Sequence, residues 1–230
     1  MKKNNLNQTD AENNGADGFD QSAYWQQRHE NLQDDPRSVG NLGVSREDME
    51  SSEINFRGIV QQVASQLYDS GVRSVLDLGC GYGRIADLFV DAGCQYTGYD
   101  VSEVAISQAL KRSPTAQFEV VDLLKWQANR QYDAVIVFYV FVHFVKDETW
   151  QKILKQAMAS VKPGGFLVFA DHFPDVREQR ATHVVGRPFS NYERMFKSHN
   201  FVLNMEIHQE LLETCKNYTA VNQFFFAGRS

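Results

Sequence analysis

The sequence contains few of the residues that disulfide, zinc, membrane or export functions require. Only three cysteines, Cys80, Cys94 and Cys215, occur among its 230 residues, too few and too scattered for a disulfide framework or a zinc site. No stretch approaches the roughly 20 apolar residues of a membrane helix. Residues 1–20, rich in Asn, Asp and Gln, also lack the apolar core of an export signal. We therefore expect free thiols in a soluble, cytoplasmic protein without a membrane partner, and a disordered segment at residues 1–20.

Positive charge is also scarce. The chain has 23 Lys and Arg against 29 Asp and Glu, a formal net charge of -6, and no block of basic residues. Such a surface is not expected to collect phosphate groups, so the balance disfavours a nucleic-acid partner. The length suits one α/β domain with added segments rather than two separate cores. A small-molecule partner is favoured.

From residue 72 onward, short β-branched runs alternate with helical patterns. We predict strands at residues 72–78, 95–99, 117–121, 134–138 and 166–170, and helices at residues 84–92, 102–112 and 147–161. This alternation predicts an α/β fold with a mostly parallel, Rossmann-like sheet and helices on both faces. Residues 201–211 and 222–228 predict a C-terminal antiparallel hairpin, since no helix-length segment is evident between them.

The segments before the sheet predict a separate N-terminal region. Residues 54–68 carry apolar residues at roughly helical spacing and are expected to pack across the start of the sheet. Residues 21–55 are interpreted as a partly helical extension that covers the functional site, and residues 56–230 as the main domain.

Three glycines, Gly79, Gly81 and Gly83, alternate with other residues directly after the first predicted strand and before a predicted helix. Glycine tolerates positive φ and lets the backbone approach a ligand closely, and a helix that follows offers free N–H groups. A tight turn without a ligand would show the same pattern. The order G-x-G-x-G also differs from the dinucleotide pattern G-x-G-x-x-G, so an NAD-dependent enzyme is the weaker interpretation.

Carboxylates follow three consecutive predicted strands, at Asp77, Asp100 and Asp122. Because the carboxyl ends of parallel strands meet at one edge of a sheet, these side chains are expected beside the same crevice. Asp100 could accept hydrogen bonds from two ribose hydroxyls, or it could only cap the helix that begins near Ser102. Asp122 is suited to accept from an adenine amino group.

Four segments together resemble the class I S-adenosylmethionine-dependent methyltransferases: residues 76–83, 99–102, 121–123 and 161–165. The likeness runs from about residue 56 to residue 228. It implies S-adenosylmethionine as cofactor, S-adenosylhomocysteine as product, and transfer of a methyl group to an O or N atom of a small-molecule acceptor. It places the following residues at the cofactor: Tyr24, Trp25, Arg28, Asp77, Gly79, Cys80, Gly81, Gly83, Arg84, Asp100, Val101, Asp122, Leu123 and Phe138.

Three of these positions have competing interpretations. Cys80 is interpreted as a small residue that fills space in the loop, because a nucleophilic thiolate would need a positioned base or cationic neighbours. The Trp25 and Arg28 pair resembles a segment that folds over the cofactor in several small-molecule methyltransferases, where Arg28 could grip the methionine carboxylate. Alternatively, these aromatic residues only pack an N-terminal helix on the core.

Residues 138–144 follow the fourth strand, where methyl transfer takes place in this family. The segment lacks the Asn or Asp, two Pro and aromatic residue typical of enzymes that methylate base amino groups, which disfavours nucleic acid. His143 and His172 are the candidate catalytic bases, or else ordinary packing and loop residues. No metal is predicted. The predicted substrate contacts are Tyr139, His143, His172, Arg187 and Tyr192.

The same features leave two further functions open. One is a non-catalytic S-adenosylmethionine-binding module, and the other is a protein or RNA methyltransferase. Residues 187–196 suggest a helix that either roofs a substrate pocket or only packs its aromatic residues on the sheet.

Overall fold

A computed structural model describes residues 19–33 and 35–230 of the chain. The predicted disordered start therefore lies, up to residue 18, outside the described residues. The structure contains nine strands: β1 (Ser74–Leu78), β2 (Gln95–Asp100), β3 (Gln117–Val120), β4 (Tyr132–Phe138), β5 (Val161–Ala170), β6 (Glu178–Ala181), β7 (Val184–Gly186), β8 (Phe201–Leu203) and β9 (Phe224–Arg229), all within the described part of the chain.

Seven of these strands form one sheet in the order β3-β2-β1-β4-β5-β9-β8, and β6 pairs with β7 in a separate small hairpin. Strands β1 to β5 pair in parallel, whereas β9 runs antiparallel to both of its neighbours. The prediction of a mostly parallel sheet with a C-terminal antiparallel strand is confirmed.

Seven α-helices accompany the strands in the described residues: α1 (Gln21–Asn31), α2 (Arg46–Asp69), α3 (Ala86–Asp91), α4 (Glu103–Arg112), α5 (Asp147–Ala159), α6 (Phe189–Lys197) and α7 (Met205–Thr214). Ser102 caps α4 as predicted, because its side chain accepts a hydrogen bond from the Ala105 N–H. The chain continues as helix α2 across residue 56, and the division into an extension and a main domain stays a prediction. Among the described helices, none has the length and apolar character needed to span a bilayer.

The helices cover both faces of the sheet. Alternate residues of β4 belong to different hydrophobic clusters: Ile136 packs with residues of α2, α3 and α7, whereas Val137 packs with residues of α5 and α6. This period of two is what a strand buried on both faces requires. All three cysteines are buried and free, as predicted.

The two predicted C-terminal strands are not joined as a hairpin, because a helix lies between them. Only Phe201–Leu203 of residues 201–211 is a strand, and helix α7 joins β8 to β9. Asn204 starts this helix by accepting a hydrogen bond from the Ile207 N–H at 3.1 Å. Ile207 and Leu211, four residues apart, pack together against the α2 side of the sheet. A short apolar run is compatible with the strand period of two and with the helical period of 3.6. Packing of Ile207 and Leu211 against the core favours the helix here.

Asp133 joins the starts of three strands. Its Oδ2 accepts from the backbone N–H groups of Arg73 and Ser74, at 3.1 and 2.8 Å, and its Oδ1 lies 2.8 Å from Lys162 Nζ. Partial burial acts to raise the pKa of Asp133, but these hydrogen bonds outweigh it and lower the pKa to about 2. The ionised carboxylate therefore stabilises the folded chain.

We expect Asp133→Ala to lower the free energy of unfolding at pH 7 by roughly 2 kcal/mol, as for the loss of charge-assisted hydrogen bonds. The exposed Asp91, at the end of α3, provides the control, and Asp91→Ala should change stability by less than about 0.5 kcal/mol. Urea unfolding measures both. Because the pKa is lowered on folding, the difference should be complete above pH 4 and disappear as the pH falls through 2. Equal unfolding of the two variants at pH 7 would contradict the role of Asp133.

Candidate functional site

The glycine loop after β1 requires its glycines for two reasons. Gly79, Gly81 and Gly83 have φ values of 80°, 54° and 72°, which side chains rarely adopt. A Cβ on Gly79 would also lie 2.5 Å from Val140 Cγ2, and one on Gly81 would lie 2.7 Å from Val39 Cγ1. The predicted sharp turn is confirmed, and its backbone is closely packed on both sides.

The predicted start of the next helix at residue 84 is wrong. Residues 82–85 form turns, and α3 begins only at Ala86. The positive φ of Gly83 cannot belong to a right-handed helix, and Ile85, the residue before α3, has a φ of -126°. The loop is therefore longer than its glycines alone indicate.

Asp100 connects this loop to the end of β2. Its Oδ2 accepts from the Gly81 N–H at 2.9 Å, and its Oδ1 accepts from the Ser102 N–H at 3.0 Å. The residue is buried, with 8% of its surface exposed. Each carboxylate oxygen can accept about two hydrogen bonds, so both oxygens retain capacity for a ligand. Asp100 therefore supports the turn before α4, whose cap is Ser102, and it can still contact a ligand.

The loop, Asp100 and helix α1 surround one cavity, which we call the central cavity. Its lining includes most of the residues that the resemblance placed at the cofactor, together with Tyr139 and His143 from the substrate set. The lining residues are Gln21, Ser22, Trp25, His29, Val39, Gly79, Cys80, Gly81, Arg84, Asp100, Val101, Val121, Asp122, Leu123, Leu124, Phe138, Tyr139, Val140, His143 and Phe144. Of the predicted cofactor residues, Tyr24, Arg28, Asp77 and Gly83 are not among them.

Asp122 and Leu123 line the central cavity at the turn that follows β3. Asp122 Oδ1 accepts from the Leu124 N–H at 2.9 Å, and its other oxygen lies 3.2 Å from Lys125 Nζ. Leu123 is buried with 8% of its surface exposed. The turn thus presents a carboxylate beside an apolar side chain, which suits a flat, partly polar ring.

Arg84 contributes positive charge to the cavity. Its guanidinium lies 4.2 Å from the centre of the Phe56 ring, and within residues 19–33 and 35–230 no acceptor or carboxylate pairs with it. The nearby Asp77 is buried, and burial raises its pKa to about 7, although a hydrogen bond from Tyr96 and the charge of Arg84 act in the opposite direction. Arg84 is therefore able to pair with an anionic group in the cavity.

Arg28, the other predicted carboxylate ligand, is committed elsewhere. Its guanidinium donates to the Tyr24 hydroxyl at 3.0 Å, to the Arg37 carbonyl at 2.7 Å and to the Gly40 carbonyl. It also lies 4.9 Å from the centre of the Trp25 ring. These contacts fasten α1 to residues 37–40, which corresponds to the packing alternative. A cofactor contact of Arg28 stays a prediction.

His143 lines the central cavity as an uncharged ring. Its Nδ1 is 3.0 Å from the His183 carbonyl oxygen; since a carbonyl only accepts, Nδ1 carries the proton and Nε2 is an acceptor. Trp25 packs edge-on at 4.7 Å and the His183 ring stacks at 5.7 Å. Burial of the ring lowers the pKa of His143 to about 3, despite the hydrogen bond to His183, which acts to raise it. His143 is thus a weak base at neutral pH.

Three other predicted substrate residues lie outside the cavity lining. His172 Nε2 is 3.2 Å from Glu178 Oε1. Arg187 is buried and donates to the Phe144 carbonyl at 2.8 Å and to Asp147 Oδ1. Tyr192 donates to Asp171 at 2.7 Å. Arg187 therefore stabilises the segment after β4 through the Phe144 carbonyl. The substrate contacts of His172, Arg187 and Tyr192 stay predictions.

Cys80 and Tyr139 line the cavity in different ways. Burial raises the pKa of the Cys80 thiol well above its ordinary value, and its Sγ would lie 2.8 Å from a Cβ on Gly98, which supports the interpretation as a space-filling residue. Tyr139 has a φ of 59° and donates to Gln223 Oε1 at 3.1 Å. Burial raises the pKa of Tyr139 to about 12, so its hydroxyl is a hydrogen-bond donor and not a base.

His29, which lines the cavity from α1, is not among the site residues predicted from the sequence. The ring is buried, and neither nitrogen has a hydrogen-bond partner among the described residues. The helical spacing offered a signal, because Ser22, Trp25 and His29 are separated by three and four residues and so share one face of α1. Val39, Val140 and Phe144 were also missed as lining residues.

Comparisons with known proteins agree with this geometry. Residues 75–165 match the family model described as a methyltransferase domain. Trans-aconitate 2-methyltransferase of Variovorax paradoxus is 32% identical over 115 residues, which cover 49% of this chain and 42% of that protein. Ubiquinone biosynthesis O-methyltransferase of Bordetella pertussis is 32% identical over 119 residues, 49% of this chain and 47% of that protein. The chain thus spans less than half the length of these relatives.

A solved structure extends the likeness to the whole fold. Magnesium protoporphyrin IX methyltransferase from Synechocystis PCC 6803, with bound S-adenosylmethionine, superposes with a TM-score of 0.69 over 93% of this chain and 99% of that chain, at 17% identity. The sheet order and the glycine loop define the Rossmann-like methyltransferase fold. Together with the family match, they confirm the predicted resemblance to the class I S-adenosylmethionine-dependent methyltransferases.

The low pKa of His143 predicts a specific dependence of stability on pH. The unfolded chain binds a proton near the ordinary value of 6.5, whereas the folded chain binds it only near 3. Stability is therefore lost as the pH falls between these values. Relative to His143→Phe, the wild type should lose roughly 1 kcal/mol of unfolding free energy per pH unit from pH 6 to pH 4.

Urea unfolding of both proteins at pH 6, 5 and 4 measures this difference. Burial raises the pKa values of Asp77 and Asp171 to about 7 and gives a dependence of the opposite sign, but both proteins contain these residues, so their effect cancels. Parallel pH profiles for the two proteins would show that His143 titrates normally.

Proposed function

We propose that this protein is an S-adenosylmethionine-dependent methyltransferase that moves a methyl group to an O or N atom of a small-molecule acceptor. The observation that carries the proposal is the central cavity itself, in which Asp100 fixes the glycine loop and still has two oxygens able to accept hydrogen bonds. The methyltransferase-domain match over residues 75–165 and the class I fold support it.

The residues of the cavity suit the parts of S-adenosylmethionine. Asp100 would hold the ribose hydroxyls, and the turn at Asp122 and Leu123 would hold the adenine. Arg84, which lines the cavity and has no acidic partner in the described residues, would pair with the methionine carboxylate. Gly79 and Gly81, which line the cavity, would let the loop backbone lie against the ligand. When bound, the cofactor supplies an electrophilic methyl group on a positively charged sulfur.

The chain contributes mainly positioning to the reaction. His143 is neutral and a weak base, so its Nε2 could orient an acceptor hydroxyl or amine by accepting a hydrogen bond, without holding a proton at pH 7. Trp25, Phe138 and Phe144 line the cavity with apolar surface that would exclude water from the reacting groups. Holding donor and acceptor in line supplies a large part of the rate in such reactions.

The acceptor is proposed to be a small molecule, because the relatives' names refer to trans-aconitate and to ubiquinone biosynthesis. The net charge of -6 argues against a nucleic-acid partner. We also propose a cytoplasmic location, supported by the three buried free thiols.

Methyl transfer tests the function directly. Purified protein is incubated with S-adenosylmethionine carrying a labelled methyl group and a panel of small carboxylic acids, phenols and amines. We expect at least one acceptor to gain the label, with S-adenosylhomocysteine formed in equal amount. Tight binding of S-adenosylhomocysteine without any transfer would instead support a non-catalytic binding module.

We expect Asp100→Asn to weaken binding of S-adenosylhomocysteine by about tenfold or more, because a charged acceptor for the ribose hydroxyls is lost. Calorimetric titration measures the Kd, and Glu119→Gln, on the exposed β3 edge strand, serves as the control with unchanged affinity. A thermal melt confirms that Asp100→Asn is folded. An unchanged Kd in the folded variant would remove Asp100 from the binding site.

Arg84→Gln should weaken binding of S-adenosylhomocysteine by about tenfold or more, since it removes a charged partner of the carboxylate. Binding of 5′-methylthioadenosine, which lacks the amino-acid group, should be nearly unaffected. Arg73 also lies over an aromatic ring, that of Tyr68, but outside the cavity, so Arg73→Gln is a matched control. Equal losses for both ligands in Arg84→Gln would argue against a carboxylate contact.

A further inference from the structure

His29 is a buried polar side chain with its hydrogen-bonding groups unused. The residue has 3% of its surface exposed, and among the described residues no group lies within hydrogen-bonding distance and geometry of Nδ1 or Nε2. The Asp100 carboxylate oxygen Oδ1 is 3.9 Å from Nδ1, beyond the range of a hydrogen bond. Burying such groups unpaired costs free energy, so this ring position calls for an explanation.

Contacts of helix α1 hold the His29 ring in its buried position. It lies 5.9 Å from the Trp25 ring, and the preceding residue, Arg28, fastens α1 to the Arg37 and Gly40 carbonyls. Gln26 also donates to the Val101 carbonyl at 3.3 Å, directly after Asp100. Helix α1 is therefore attached at two residues close to His29, and Ser22, Trp25 and His29 of this helix line the central cavity.

The chemistry of the neighbouring Asp100 defines what is missing. An ionised carboxylate only accepts hydrogen bonds, so it can take the protons of two ribose hydroxyls but can donate nothing to their oxygens. A neutral imidazole has one N–H donor and one acceptor nitrogen. Burial lowers the pKa of His29, an effect that Asp100 opposes and Arg28 reinforces, so the neutral form is present at pH 7.

We propose that His29 is a ligand of the cofactor's ribose, donating its ring N–H to a hydroxyl oxygen whose proton is accepted by Asp100. The inference rests on the proposed function and extends it, because it makes helix α1 a part of the ribose site and not only a cover. The two unpaired ring nitrogens beside the carboxylate are the observation that supports it. Binding of the cofactor would then depend directly on the N-terminal helix.

The test combines a side-chain change with a ligand change. The Kd of S-adenosylhomocysteine and of its 2′-deoxy and 3′-deoxy analogues is measured by calorimetry for wild type, His29→Phe and His29→Gln. We expect His29→Phe to weaken S-adenosylhomocysteine by about tenfold, and to change the affinity of one deoxy analogue by much less. His29→Gln, which keeps an N–H donor, should recover part of the lost affinity. His199→Phe, at a histidine outside the cavity, is the control.

Each other outcome overturns the proposal in a recognisable way. An equal loss for all three ligands would show that His29 only supports the fold of α1, and no loss would show that it does not bind. If wild type itself binds no S-adenosylhomocysteine, the proposed function and this inference both fail, whereas the outcomes above remove only the role of His29. Ring ¹⁵N resonances of His29 in the wild type give a second measurement: addition of S-adenosylhomocysteine should shift them while those of His199 stay constant, and unchanged resonances would refute the contact.

Discussion

The pair of hydrogen bonds from Asp100 to the Gly81 and Ser102 N–H groups is the contact on which the site depends. It joins the loop after β1 to the turn that starts α4, at the edge where the parallel strands end. The loop conformation has positive φ at three alternating glycines, so its own backbone does not select one arrangement strongly. A buried carboxylate that accepts from both segments provides that selection and leaves charge at the cavity.

The N-terminal segment completes the cavity by a different kind of interaction. Arg28, although it carries a full charge, is used to satisfy backbone carbonyls of residues 37–40 and to stack on Trp25. This arrangement stabilises a short, polar helix that has little apolar surface of its own to bury. Because Arg28 is used in this way, Arg84 is the arginine that lines the central cavity. Helix α1 contributes His29, whose two ring nitrogens have no hydrogen-bond partner among the described residues.

Some site residues lie inside the segment that matches the methyltransferase-domain family, and others lie outside it. Residues 75–165, which match the methyltransferase-domain family, contain the glycine loop, Asp100, Asp122 and His143. Helix α1, the β6–β7 hairpin and α6 lie outside this segment. Trp25 from α1 and the His183 backbone from the hairpin both contact His143. Residues from outside the family match therefore contact His143, and these segments are where the surroundings of that side chain are particular to this chain.

The sequence by itself determined the alternating strands and helices, the glycine turn and the carboxylates at the strand ends, because these depend on local periodicity and on backbone conformations that few residues adopt. The tertiary structure alone decided that residues 205–214 are a helix, that Arg28 and Arg187 bind backbone carbonyls, and that His143 Nδ1 binds the His183 carbonyl. It also brought His29 beside Asp100. These outcomes depend on burial and on contacts between residues far apart in the chain, which no local pattern contains.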